Sequence, residues 1–141
     1  MARADFYLIT TPRFRTEPLR LVCELARKAF DAGLPTLVLA RSQEQAEALD
    51  DLLWDMGDEV YIPHQIAGAE DDEDEAEVLI AAPDVDAALR PLVINLRDAA
   101  VDGAFDRVLE VVPADESARG PLRERWKQYQ ARGLELKKHD M

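Results

Sequence analysis

Short, unbroken apolar stretches recur along this chain, and they restrict its fold more than any other feature: FYLIT (6–10), PTLVLA (35–40), VYI (60–62), VLIA (78–81), LVINL (92–96) and DRVLEVV (106–112). A strand with one face in water alternates polar and apolar residues, so stretches without alternation read as strands covered on both faces. Helical signals lie between them. EPLRLVCELARKAFDAG sets Leu21, Val22, Leu25 and Ala29 at helical spacing and stops at Gly33, a C-cap. SQEQAEALDDLLWDMG opens with Ser42 as N-cap and Gln45 at the capping-box position, turning Ala46, Leu49, Leu53 and Met56 inward. A last helix is expected from about Pro121 to Gly133. The alternation predicts a single α/β domain over residues 1–141, with a mainly parallel twisted sheet and helices on both faces, Rossmann-like in outline.

A sheet of this kind suggests a nucleotide, which needs glycines where the first strand turns into the first helix so that backbone amides can approach phosphate. That turn reads TTPRFRTEP, and the six glycines stand at least eleven residues apart, so neither GxGxxG nor GxxxxGK[ST] occurs. Nucleotide chemistry is therefore not expected, and no cofactor is. The single cysteine, Cys23, excludes an internal disulfide; beside Leu21, Val22 and Leu25 it reads as a small buried side chain. His64, in YIPHQIAG after a strand, reads as a hydrogen-bonding loop residue; its only histidine companion, His139, lies in the tail, so no metal pair is expected. Asp50 with Asp51, and Asp115 with Glu116, fit a helix surface and a helix N-terminus. The alternative from another class is a small-molecule-binding or hydrolytic α/β enzyme using His64 with an aspartate. No apolar run approaches the ~20 residues that span a bilayer, and FYLIT is no signal-peptide core, so a soluble cytoplasmic protein is expected.

Charge supplies the clue to function. The chain carries −12, yet residues 117–141 hold seven Lys/Arg against three Asp/Glu, leaving the first 116 residues at −16. A duplex would be repelled by most of this surface, so nucleic acid is expected as an indirect partner only. AEDDEDEAE (69–77) reads as a solvated acidic loop. In RGPLRERWKQYQARG, Leu122, Trp126 and Tyr129 fall on one helix face, with Arg119, Arg123, Lys127 and Gln130 beside it. Two readings follow. Trp126 is core and the cations are solvated, or the helix borders a pocket in which Arg forks a carboxylate while indole supplies apolar area.

Taken in order, FYL, LVCELARKAFDAG, ALDDLLW, YIPHQIAG, VINLR and VLEVVP followed by RERWKQYQARG resemble the chi subunit of bacterial DNA polymerase III holoenzyme over nearly the whole chain. The resemblance implies a non-catalytic clamp-loader accessory that binds the psi subunit and captures the acidic C-terminal tail of single-stranded-DNA-binding protein. By resemblance Arg123 grips the tail's terminal carboxylate, Trp126 occupies the aromatic position, Val112 lines the wall, and Arg119 and Lys127 meet the tail's aspartates. Trp54, Tyr61, Pro63 and Ile66 would form the psi-facing surface. The chain departs from the family at Gly120-Pro121, where a proline interrupts otherwise continuous helix. A helix starting at Pro121 would leave Arg119 aimed elsewhere. The acidic run 70–75 likewise replaces a Gly-rich loop.

Overall fold

A computed structural model describes residues 2–55, 62–68 and 76–141. Among them, seven strands form one sheet: β1 (Arg3–Leu8), β2 (Thr36–Leu39), β3 (His64–Ile66), β4 (Val78–Ala81), β5 (Leu92–Asn95), β6 (Arg107–Val112) and β7 (Glu135–Asp140), in the order β3-β4-β2-β5-β6-β1-β7. Every pairing is parallel. The expected mainly parallel α/β domain is what forms.

Four α-helices accompany the strands among the described residues: α1 (Pro12–Thr16), α2 (Pro18–Asp31), α3 (Gln43–Trp54) and α4 (Arg119–Ala131). The first three pack on one sheet face, where Leu21, Val22, Leu25, Ala29, Ala46, Leu49 and Leu53 join Val38, Ile80, Ile94 and Leu109 in the larger core. On the other face α4 presses Tyr129 against Ala4, Phe6, Val93, Val108 and Val112. The connection from β4 to β5 carries no helix. It crosses that second face as an irregular segment, and Val85, Ala87 and Leu89 cover Leu37, Leu79 and Ala81 there.

Local chemistry accounts for the ends. Ser42 accepts a hydrogen bond from the Gln45 amide at 3.0 Å, and Gln45 Oε1 reaches back to the Arg41 amide at 2.7 Å, one residue earlier than a capping box usually closes. The exits of α2 and α4 use left-handed glycines. Gly33 (φ 72°) and Gly133 (φ 81°) let Leu34 donate to Ala29 O and Leu134 to Tyr129 O.

Four expectations need correction. β1 starts at Arg3 and ends at Leu8, because Arg3 and Asp5 neutralise each other inside the strand and so do not interrupt it. Near residues 60–62 the strand is His64–Ile66, half-buried at the sheet margin, where a polar residue is tolerated; Ile62 precedes it and Val60 lies outside the described residues. His64 therefore opens a strand instead of sitting in a loop. The last helix begins at Arg119, not Pro121, after a 3-10 turn at Glu116–Ala118. Pro121 falls in the first helical turn, whose N–H groups have no intrahelical acceptor, so the missing donor costs nothing there. Met56, Tyr61 and residues 69–75 of the acidic stretch lie outside the described residues.

Candidate functional site: a cleft between the last helix and the sheet

The position of α4 is set by a buried polar cluster. Glu110, inside the apolar run of β6, is fully buried, and three side chains converge on it. Arg125 Nε approaches Oε1 at 2.8 Å, the Tyr129 hydroxyl donates to Oε2 at 2.6 Å, and Asn95 Nδ2 donates to Oε2 at 2.8 Å. Burial drives the Glu110 carboxyl upward, and Arg125, Tyr129 and Asn95 pull it back. The same groups reach out to backbone. Arg125 Nη1 donates to Asp98 O at 3.0 Å, and the Val101 amide donates to the Tyr129 hydroxyl at 2.9 Å. Arg132 ties the helix end to Val101 O and Gly103 O. Such a network fixes both rotation and axial position of α4, since slipping it by one residue would strand a charge in the core.

Held this way, the helix leaves a cleft of about 390 Å³ over the C-terminal halves of β1 and β7, lined by Phe6, Leu8, Leu122, Arg123, Trp126, Lys127 and Lys138. Phe6 and Leu8 share a strand face and form the floor, with the Trp126 ring tilted 48° against Phe6 at 5.0 Å between centroids. Arg123, Lys127 and Lys138 bring cations to the rim, all three exposed. Lys138 lies 3.8 Å from Asp140 in an open ion pair; among the described residues Arg123 and Lys127 have no acidic partner within salt-bridge distance. Half-buried Trp126 is therefore both core cover and cleft wall, combining the two readings of its helix.

Of the expected tail-binding residues, Arg123, Trp126 and Lys127 come together here. Val112 is buried in the core beside Phe6 and Trp126 and does not line the cleft; Arg119, the first residue of α4, is exposed and outside it. Phe6, Leu8 and Lys138 were missed. The first two could have been read from the alternate faces of FYLIT-type strands, but for β7 LELKKHD offers only Leu134 and Leu136 at alternate positions before four polar residues, a short signal.

At the opposite sheet margin, Trp54 ends α3 with 59% of its surface exposed, its ring edge-on to His64 at 4.9 Å. Pro63 and Ile66 are half-buried nearby, and Ile66 packs on the larger core. The His64 side chain is 1% exposed: Nδ1 lies 2.7 Å from Ile62 O and Nε2 3.2 Å from Asp50 Oδ1. Nδ1 is engaged by the Ile62 carbonyl, whereas Nε2, though close to Asp50, has no hydrogen-bond partner among the described residues; burial closes the ring off from solvent. Asp51 is exposed, and Asp115 caps the 3-10 turn by accepting from the Ser117 amide. Cys23 is buried, which pushes its thiol up to about 11. Where β1, β5 and β6 end, the usual phosphate position holds a narrow hollow of about 80 Å³ lined by Ile9, Pro18, Leu19, Val22, Leu96, Val111 and Pro113 with Arg41 and Gln45. Arg41 is paired with Asp98 at 2.8 Å, Gln45 is engaged at the start of α3, and Pro18 opens α2 there without an N–H to offer.

The profile of the family described as DNA polymerase III chi subunit, HolC, matches residues 1–137. The curated DNA polymerase III subunit chi of Escherichia coli (strain K12) is 34% identical over 142 residues, covering 96% of each chain. That of Pseudomonas aeruginosa is 32% identical, covering 99% of this chain and 96% of its own, and that of Haemophilus influenzae is 27% identical, covering 94% and 93%. A match of this extent shows that the chain belongs to the DNA polymerase III chi-subunit family.

Proposed function

We propose that this protein links the clamp loader to single-stranded-DNA-binding protein during replication in the cytoplasm, taking that protein's acidic C-terminal tail into the α4 cleft and docking psi on the Trp54 side. The observation that carries the reading is an apolar floor rimmed by three cations on a chain of net charge −12. An apolar terminal residue would lie on Phe6 and Leu8 against Trp126 while Arg123 forks its carboxylate; Lys127, with Arg119 further along, would attract the preceding aspartates. The acidic body repels competing polyanions, so nucleic acid is reached through the partner. Ile66 ends β3 with Trp54 and Pro63 beside that strand, and the cleft adjoins β7, the two ends of the strand order. Six inter-strand spacings, roughly 30 Å, separate those edges, which lets both partners bind at once. Tyr61 completes the psi surface in this proposal.

Calorimetric titration with an acidic peptide ending in a free carboxylate tests the tail site. Replacing Arg123 by Ala should weaken binding by ~2–5 kcal/mol, the cost of unpairing a desolvated charge, and amidating the peptide should do likewise. A solvated pair is worth only ~0–1 kcal/mol. Binding within twofold of the parent for both changes rejects the site.

A further inference from the structure

The cleft opens onto a sheet edge that no described strand covers. β7 is the last strand in the order, and its pairing with β1 occupies only every second residue. Glu135 N donates to Ala2 O, Met141 N donates to Leu8 O, and Met141 O accepts from the Thr10 amide. In a parallel ladder both backbone groups of one residue face the same neighbour, so the odd-numbered residues of β7 are engaged with β1. The N–H and C=O of Leu136, Lys138 and Asp140 accordingly point away from the sheet. Their side chains share the α4 face: Leu136 packs into the smaller core, and Lys138 lines the cleft. The residue that lends its ammonium to the cleft thus also presents free backbone groups at the edge.

We propose that β7 is a strand-addition site for an extended acidic peptide, namely the segment that precedes the apolar terminal residue held in the cleft; this rests on the cleft being the tail site. β7 itself is formally neutral, Lys137 and Lys138 balancing Glu135 and Asp140, so the occupant is selected by the face it would adjoin. There Lys138, with Arg123 and Lys127 across the cleft rim, sets three cations against the single carboxylate of Asp140 and attracts an aspartate-rich strand continuous with the tail. The adjacent Lys137 and Lys138 oppose pairing with a second copy of β7. Main-chain bonds then hold the upstream segment without demanding a particular side-chain sequence.

The test is a set of acidic peptides of about nine residues with a free C-terminal carboxylate, each N-methylated at one successive backbone amide and titrated into the full chain. Strand addition predicts loss with a period of two, roughly three- to tenfold at each amide that bonds to β7 and little at its neighbours. In parallel, Asp140→Pro removes one outward N–H while keeping the inward bonds of His139 and Met141, and Asp140→Ala removes the carboxylate alone. Asp140→Pro should weaken the parent peptide several-fold with melting temperature retained, and Asp140→Ala should not. If methylation upstream has no effect while binding still depends on Arg123, the edge proposal fails and the cleft stands. If the unmodified peptide does not bind at all, both fail.

Discussion

Replacing Arg125 by Met should be the most destabilising single change on α4. Arg125 is 3% exposed and faces a fully buried carboxylate at 2.8 Å, so the substitution leaves Glu110 without its cation, with only the Tyr129 hydroxyl and the Asn95 amide as partners. Unpairing a buried ion in this way costs ~3–5 kcal/mol. For a chain of this length that lowers the melting temperature by roughly 10 °C. The loss carries a pH signature. Glu110 is already raised by burial, and removing Arg125 raises it further, so the folded variant holds a proton that the unfolded chain releases near ~4.3. A carboxyl raised on folding favours the native state fully below its unfolded value and loses that contribution as pH rises. Urea unfolding at pH 5 and pH 8 should therefore show the smaller deficit at pH 5. Adding Glu110→Gln to the same chain removes the stranded charge and should recover at least half of the loss at pH 8. A deficit under 1 kcal/mol, or one equal at both pH values, would refute the claim that this pair positions the helix.

The remaining predictions concern the other charged cluster and the exposed aromatic. Asp5 is fully buried; burial raises its carboxyl, but hydrogen bonds from Arg3, His139 and Arg107 outweigh that and bring it down to about 2. A carboxylate lowered on folding stabilises above its unfolded value and loses this as pH falls, so the deficit of Asp5→Asn, about 2 kcal/mol at neutral pH, should shrink between roughly pH 4 and 2 in urea melts. Trp54→Ala should cost no more than ~1 kcal/mol, because most of the ring faces solvent, and a loss of 3 kcal/mol or more would show that it serves the core instead.

The sheet is legible because buried parallel strands advertise themselves as unbroken apolar runs: VLIA and LVINL fall within a residue of the strands that form, and the sheet-facing stripe of α2 reads directly from helical spacing. What escaped has a common physical cause. β7 lies at an edge, so apart from Leu134 and Leu136, which alternate and pack on the smaller core, its sequence answers to water and the period-two signal is too short to stand out. Arg125 and Glu110 look like a surface cation and an interruption in VLEVV, since nothing in one dimension shows that residues fifteen apart will neutralise each other. Arg123, Trp126 and Lys127 could be grouped from helical spacing alone, whereas the floor, Phe6 and Leu8, comes from a strand more than a hundred residues earlier and needed the fold to join them.

The central claim is that the α4 cleft, and not the Trp54 surface, receives an acidic C-terminal peptide. Nuclear magnetic resonance of the labelled chain, titrated with that peptide and with its amidated form, tests this most directly. Saturable shifts should appear at the Trp126 indole and at Leu8, Leu122 and Phe6, larger for the free carboxylate, with Trp54 and Ile66 unmoved. Shifts centred on Trp54 and Ile66, or none at Trp126, contradict the account.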